Sequence, residues 1–459
     1  MFDRRDVLTG MAVGVAALAA AGDGNQAHAN WGMPGSNQPF DRRMVVNKPR
    51  AYRIMEEEKL DGIIALNPLN VFYLSNFVSY RAKMMTPNPT YAVMARDQKR
   101  PIGLTVASTD MADIVNAVRD YAELVIPYSS PVDWREIAER GDFTREPQAA
   151  PGGARLSSNE ATQTSREKAQ AQSERAWQGK MAPTPEWGLV RLLKEMGLSK
   201  GRIAVDDWRV AMTLQALGFT GVTCVDGDNT FRRIRVIKSE VEVGWLRLAA
   251  QANQEAAMAT MKQIQRGATN ADIERIFMIE TAKRGALFDT LQVGNTGGLP
   301  EPELKTGQSV MLDCTSCVNY YHGDFGRTFV LGEPSAELKK RAAMMKVGWD
   351  AAFAALKPGV KFSQISAVGR EAMKKSGLSE LTVGVGPHSV GLQHTDHPFV
   401  PGLPYAVADD LTLEENMTLT IDFPSLSMGY GNAHLEDLVR ITKTGAEPLA
   451  NMDGVLVVG

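Results

Sequence analysis

The chain reads as an α/β domain followed by an α+β domain, and three observations predict this. From about residue 47 to residue 227, amphipathic helical stretches alternate with short apolar runs bounded by Asn, Pro and Gly, the pattern of a sheet layered with helices. After residue 228, two capping boxes, Ser239-Glu-Val-Glu242 and Thr269-Asn-Ala-Asp272, open long helices. The strand-like runs Ser309–Leu331, Thr418–Phe423 and Leu435–Thr442 follow, as in a mostly antiparallel sheet with helices laid over it. A length of 459 residues suits two or three domains.

Residues 1–29 are expected to be an export signal. Arg4-Arg5 precedes an apolar run from Met11 to Ala21 and a cleavage-type Ala27-His28-Ala29. Asp3-Arg-Arg-Asp-Val-Leu8 resembles a twin-arginine signal, with an ordinary secretory signal as the alternative. The apolar run is too short to span a bilayer as a helix, so the mature protein is expected in the periplasm without a membrane anchor.

Within residues 47–227, Lys48–Lys59 predicts a helix and Asp61–Leu66 a buried strand ending at Asn67-Pro68. Asn70–Leu74 reads as a short turn onto Phe77, and Thr90–Ala95 as a strand. Asp110–Tyr121 reads as a helix capped by Thr109, and Glu123–Pro127 as the strand after it. Residues 145–185 are rich in Gln, Ala, Ser, Arg and Glu and form an insertion, either a solvated helix over Glu160–Trp177 or a loop. Helix Glu186–Met196, strand Arg202–Val205 and helix Trp208–Leu217 resume the pattern.

The second domain, residues 228–459, is expected to open on a strand-like Arg232–Ile237. Helices run from Ser239 to about Gln265, over Ala271–Arg284, Ala336–Leu356 and Phe362–Lys375, and Val383–Val385 adds a strand.

Composition is that of a globular protein, 44% hydrophobic and 22% charged, with a net charge of −3. No basic stripe offers a footprint for nucleic acid. Three cysteines are present. In Cys314-Thr-Ser-Cys317, residues three apart on a strand point to opposite faces, which disfavours a disulfide. Both read as small buried residues.

The chemistry lies in Asp313, Asp324, His388, Asp422 and Glu436, which arrive from four segments of the second domain. Acids flanked by apolar strand residues would be buried unpaired unless something compensates them. Oxygen ligands with one imidazole suit two divalent cations.

These residues resemble a known family, the pita-bread metallohydrolases, which include methionine aminopeptidase, Xaa-Pro aminopeptidase, prolidase and creatinase. Asp313 and Asp324 stand eleven apart, as the family's first two ligands do. Tyr321-His-Gly-Asp324-Phe-Gly-Arg327-Thr328 looks like its Y-x-x-D-x-T-R-T run, and His388-Ser-Val-Gly391 is similar to its H-G-x-G motif. Asp422-Phe-Pro424 and Glu436-Asp437 fall at its last two acidic positions. Arg235-Val-Ile-Lys238-Ser239 resembles the domain junction, and Leu66-Asn-Pro68-Leu-Asn70-Val-Phe-Tyr73-Leu74 the N-terminal domain, of prolidase and creatinase. The resemblance implies an α/β N-terminal domain before a pita-bread catalytic domain, a homodimer, and two divalent metal ions (Mn, Co, Zn or Fe). Asp324 and Glu436 would bridge the ions, with Asp313, His388 and Asp422 completing their shells. It also implies hydrolysis of an amide-type C–N bond, as by an Xaa-Pro aminopeptidase or dipeptidase acting on small peptides.

Three departures bear on substrate. The family usually has Glu at position 422, where Asp is one methylene shorter. A second peptidase histidine falls at Thr395, with His394 one residue before and His397 two after. The peptidase histidine ahead of the first metal Asp is missing between Gly294 and Leu312. His394 is therefore expected to move protons, with Asp396 orienting it. His322 and Tyr321 are candidate substrate contacts; so is His397, with a structural hydrogen-bonding role as its alternative. His434, two residues before Glu436, raises the same question. A creatinase-like C–N hydrolase or a dimethylsulfoniopropionate lyase on the same fold is the alternative; the lyases place an acidic base in the slot of His394. A non-catalytic binding protein is the third reading.

Overall fold

The computed structural model describes residues 41–84, 89–115, 120–129, 138–149, 157–177, 179–294, 304–378, 384–403, 406, 410–425, 433–451 and 454–459. The expected export signal lies outside the described residues. The described chain falls into two compact units, Asp41–Ile234 and Arg235–Gly459.

The first unit begins with α1 (Lys48–Glu57), capped by the Asn47 side chain and burying Ala51, Ile54 and Met55 on one face. Next come β1 (Gly62–Ala65) and α2 (Pro68–Ser75). The second of these replaces the expected short turn. The Asn67 side chain accepts the Leu69 N–H, and Pro68 presets the first helical turn. Asn70 through Ser75 are all buried, so no polar face was left to reveal a helical period.

The unit continues through α3 (Tyr80–Lys83), β2 (Tyr91–Ala95), β3 (Gly103–Ala107), α4 (Met111–Val115), β4 (Leu124–Tyr128) and α5 (Ser165–Trp177). It ends with α6 (Pro185–Glu195), β5 (Gly201–Val205), α7 (Trp208–Ala216), β6 (Val222–Asp226) and α8 (Asp228–Arg235). Strand order is β4-β3-β2-β1-β5-β6, with β2 antiparallel to both neighbours and the other pairs parallel. Thr109 does not cap α4. It sits inside a 3-10 turn, Ser108–Asp110, whose buried Asp110 accepts the Ser79 hydroxyl at 2.8 Å. Helix α8 overturns the strand expected over Arg232–Ile237. Phe231 and Ile234, three apart, are fully buried, while Arg233 pairs outward with Glu57 at 2.7 Å.

The second unit carries α9 (Glu240–Met261), α10 (Asn270–Lys283), β7 (Leu287–Val293), β8 (Ser309–Val318) and β9 (Tyr321–Val330). It continues with α11 (Ala336–Ala355), α12 (Phe362–Lys375), β10 (Gly386–Ser389), β11 (Thr418–Ser425), β12 (Ala433–Ile441), β13 (Ala446–Pro448) and β14 (Leu456–Val458). Strand β10 begins just after the expected Val383–Val385; 383 lies outside the described residues, and 384 and 385 precede the strand. The sheet runs β10-β11-β12-β9-β8-β7, with β13 beside β12 and β14 beside β9. Every pair is antiparallel except β14 with β9. The turn between β8 and β9 has positive φ at both Asn319 and Tyr320, the conformation of a two-residue hairpin. That turn fixes the register of both acidic strands.

Both capping boxes form, at Ser239 with Glu242 and at Thr269 with Asp272. Glu242 is fully buried, accepting the Ser239 amide at 2.7 Å and the Tyr321 hydroxyl at 3.2 Å. Burial pushes its carboxyl up to about 7, against the opposing pull of Lys238. A carboxyl raised above its unfolded value binds a proton in the native state that the unfolded chain has lost. Its contribution to stability is therefore full below about pH 4.5 and declines as pH rises to about 7, by about 3 kcal/mol in all. Denaturant unfolding of Glu242→Gln between pH 4.5 and 7 should lose this decline while keeping the cap. An unchanged slope would show that Glu242 is not its source.

Candidate metal centre

The ladder pairing alone assembles the acidic face. Asp313 on β8 pairs with Gly326 on β9, Gly326 with Glu436 on β12, and Glu436 with Asp422 on β11. Residues in one cross-strand row share a face of the sheet. Asp324 precedes Gly326 by two, and His388 on β10 pairs with Thr420, two before Asp422. Period-two alternation puts both on that same face. The opposite face belongs to α9: a Cβ on Gly323 would lie 2.3 Å from the Ala249 carbonyl oxygen.

Gly326 sits in the middle of the row. A Cβ there would lie 2.2 Å from His434 Cε1 and 2.6 Å from its Nε2, so the missing side chain makes room for this imidazole. His434 Nε2 is 2.7 Å from Asp422 Oδ1 and 3.4 Å from Glu436 Oε2. A histidine two residues before a strand acid must share its face, which is the signal that brings His434 into the set.

Asp324 is 2% exposed, and neither carboxylate oxygen has a hydrogen-bond partner. Oδ2 lies 3.3 Å from His394 Nε2 and 3.6 Å from His388 Nε2. Glu436 is also buried, accepting the Thr420 hydroxyl at 2.8 Å, with His388 Nε2 3.6 Å away. Burial pushes the Glu436 carboxyl well above the usual range, and Asp324, Asp422 and Asp313 push it further. Asp313 is raised by burial to about 6, opposed by His434 and reinforced by Asp324. Burial also opposes the charge on Asp324, but His394, His388 and His434 outweigh it and hold this carboxyl below its ordinary value. Contact with Asp324 raises His394 to about 9, against burial. Burial lowers His388, favouring the neutral imidazole a cation needs.

Four carboxylates this close cannot all ionise without compensating positive charge. The orphaned oxygens of Asp324 and the neutral His388 fit divalent cations that accept oxygen and nitrogen donors. The ligand atoms of Asp324, His388 and His394 lie within 4.8 Å of one another, and so do those of Asp313, His434 and Glu436. Two adjoining cradles result.

Other expected site residues are placed differently. His322 shares the Asp324 face, its Nδ1 3.2 Å from the Gly391 carbonyl oxygen. Tyr321 does not line the site. It alternates to the α9 face, is fully buried, and bonds Glu242. His397 takes its structural alternative: its Nε2 accepts the Ser389 amide at 2.6 Å and its ring packs on Phe362. Asp396 does not orient His394. It is buried against Arg235 at 2.7 Å and Lys238 at 3.2 Å. Burial works against its charge, but these two cations hold its carboxyl well below the usual range. Arg327, fully buried, donates to Asp437 at 2.7 Å and to the Glu436 carbonyl at 2.8 Å, clamping β9 to β12. The N-terminal unit has clefts of about 540 and 910 Å³, but the metal-ligating clusters among the described residues all lie in the second unit.

An antiparallel sheet carrying such a paired acidic cradle is a candidate centre for divalent cations. Residues 244–443, within the C-terminal unit, match the model of metallopeptidase family M24. The chain is 28% identical over 247 residues to the probable dipeptidase PepE of Mycobacterium tuberculosis, covering 52% of this chain and 64% of that protein. It is 25% identical over 239 residues to the Xaa-Pro dipeptidase of Pyrococcus furiosus, covering 50% of this chain and 67% of that protein. The match thus spans just under two thirds of the PepE relatives. Among solved structures, a dipeptidase from Pyrococcus horikoshii OT3 superposes with a TM-score of 0.64 at 17% identity, over 90% of this chain and 99% of that one. The X-Pro aminopeptidase of Thermotoga maritima MSB8 gives 0.63 at 17% identity, over 89% and 100%. The fold is that of the pita-bread enzymes, with an α/β unit ahead of the catalytic-type domain.

Proposed function

We propose that this protein is a metal-dependent dipeptidase or aminopeptidase acting on Xaa-Pro peptides through a dinuclear centre. The observation that carries the reading is the shared face of Asp313, Asp324, His388, Asp422 and Glu436, with both oxygens of buried Asp324 lacking hydrogen-bond partners. The names of the relatives agree with it. Asp324 and Glu436, innermost and buried, would bridge two ions; Asp313 and Asp422 would hold one, and His388 the other. When bound, such ions polarise a carbonyl and activate water, and Mn, Co, Zn and Fe are the candidates. Thr420 orients Glu436 through its hydroxyl, and His434 holds Asp422, whose shorter side chain needs fixing in place. His394, partly exposed beside Asp324, is placed to exchange a proton with the departing amine. Export by the twin-arginine route and a homodimeric state complete the proposal.

The test is a panel of Xaa-Pro dipeptides, guanidino compounds and sulfonium acids offered to protein loaded with each metal. Release of proline from at least one dipeptide is expected. Turnover of a guanidino compound or a sulfonium acid, with every Xaa-Pro peptide untouched, would replace the peptidase with one of its fold relatives.

A further inference from the structure

We propose that Asp289, Cys317 and His322 form a separate site for a thiophilic divalent cation such as zinc, at the sheet edge beside the acidic face. Each residue comes from a different strand. The tight turn at Asn319-Tyr320 makes Cys317 and His322 direct cross-strand partners on β8 and β9. On β7, Leu287 pairs with Cys317, but the register slips between Phe288 and Thr290. That bulge leaves Asp289 out of the ladder and re-aims its side chain, as bulges beside functional sites do. Phe288 meanwhile packs edge-on against Phe277.

The ligand atoms of the three residues lie within 4.8 Å of one another, with His322 Nε2 3.7 Å from Asp289 Oδ2. The orientation of His322 is what a metal ligand needs. Its Nδ1 faces the Gly391 carbonyl at 3.2 Å, so this nitrogen carries the hydrogen and Nε2 keeps a lone pair toward Asp289. Cys317 is a free thiol, and Cys314, three residues back, is buried in the core on the other face. Asp289 is 44% exposed, which gives an ion a way in. Three protein ligands of N, O and S type leave a fourth position open, as in zinc sites that bind water or a small ligand.

Sulfur separates this site from the acidic centre. Thiolate ligands select zinc-like ions, whereas the oxygen-rich cradle takes harder cations. Binding converts the Cys317 thiol to thiolate and releases its proton to solvent, with no change of oxidation state.

Cobalt(II) is the probe, because only cobalt bound to sulfur shows thiolate-to-metal charge-transfer absorption in the near ultraviolet. Titration of the full protein should produce that band, and Cys317→Ser should abolish it, whereas Cys314→Ser and Cys224→Ser keep it. His322→Ala should weaken the cobalt binding that produces the band by about a hundredfold. Circular dichroism of Cys317→Ser checks that the fold survives. No band in the wild-type protein, or a band that survives in Cys317→Ser, overturns the site. The sulfur signature reads this site whether or not the peptidase reading holds.

Discussion

Asp324→Asn is expected to lose bound metal and peptidase activity together. The exchange keeps the shape of the side chain but removes the buried charge whose two oxygens have no hydrogen-bond partner. What remains cannot bridge two cations, and the rate should fall by about a thousandfold, the scale of losing one preorganised electrostatic partner. Stability should fall without metal and fall further with it. The metal-free variant loses the charge that His394, His388 and His434 hold ionised below its ordinary range, and should be less stable than the metal-free parent. With saturating metal the parent gains stability by mass action and the variant does not. Metal content by elemental analysis, hydrolysis rate and melting temperature check all three. A variant with normal metal content and rate would remove Asp324 from the centre.

Asp396→Ala should be the most destabilising single change in the second unit. Arg235 is 2% exposed and Lys238 fully buried, and each makes its ion pair with Asp396. Removing Asp396 takes away the carboxylate that both buried cations pair with, a loss of about 3–5 kcal/mol. Arg235 keeps a bond to Gln393 at 2.8 Å and Lys238 one to the Arg235 carbonyl at 2.7 Å, which limits the damage. The cluster lies under the segment joining His388 to His394, since a Cβ on Gly391 would meet Asp396 Oδ2 at 2.3 Å. Activity should therefore fall with stability. Urea unfolding that shows a loss under about 1 kcal/mol would mean the pairing is not what holds this segment.

The acidic face was legible because strand alternation and residue spacing are local properties. Asp313, Asp324, Asp422 and Glu436 sit among apolar strand residues, and once the strands pair antiparallel their common face follows. His434 obeyed the same rule and was legible as a neighbour of Glu436; its contact with Asp422 was not, because that depends on the absent side chain of Gly326. The roles of Tyr321 and Asp396 were hidden for a related reason. Each depends on partners distant in sequence: Glu242 for the first, Arg235 and Lys238 for the second. In the first unit, α2 was hidden by burial on all sides. Arg232–Ile237 misled because its alternation of basic and branched apolar residues fits a strand, whereas Phe231 and Ile234 are spaced for a helix. Asp289 gave no signal at all, since a bulge is set by how two strands meet.

The paired cradle is most directly tested by counting metal ions. Purified protein, stripped and titrated with manganese, a hard ion that a thiolate site disfavours, should bind two equivalents at sites that Asp324→Asn and Glu436→Gln both empty, with hydrolysis of an Xaa-Pro dipeptide rising as they fill. Wild-type protein that hydrolyses the dipeptide at full rate with no bound metal, or that binds two equivalents unaltered by either substitution, would contradict the assignment of this face as the catalytic centre.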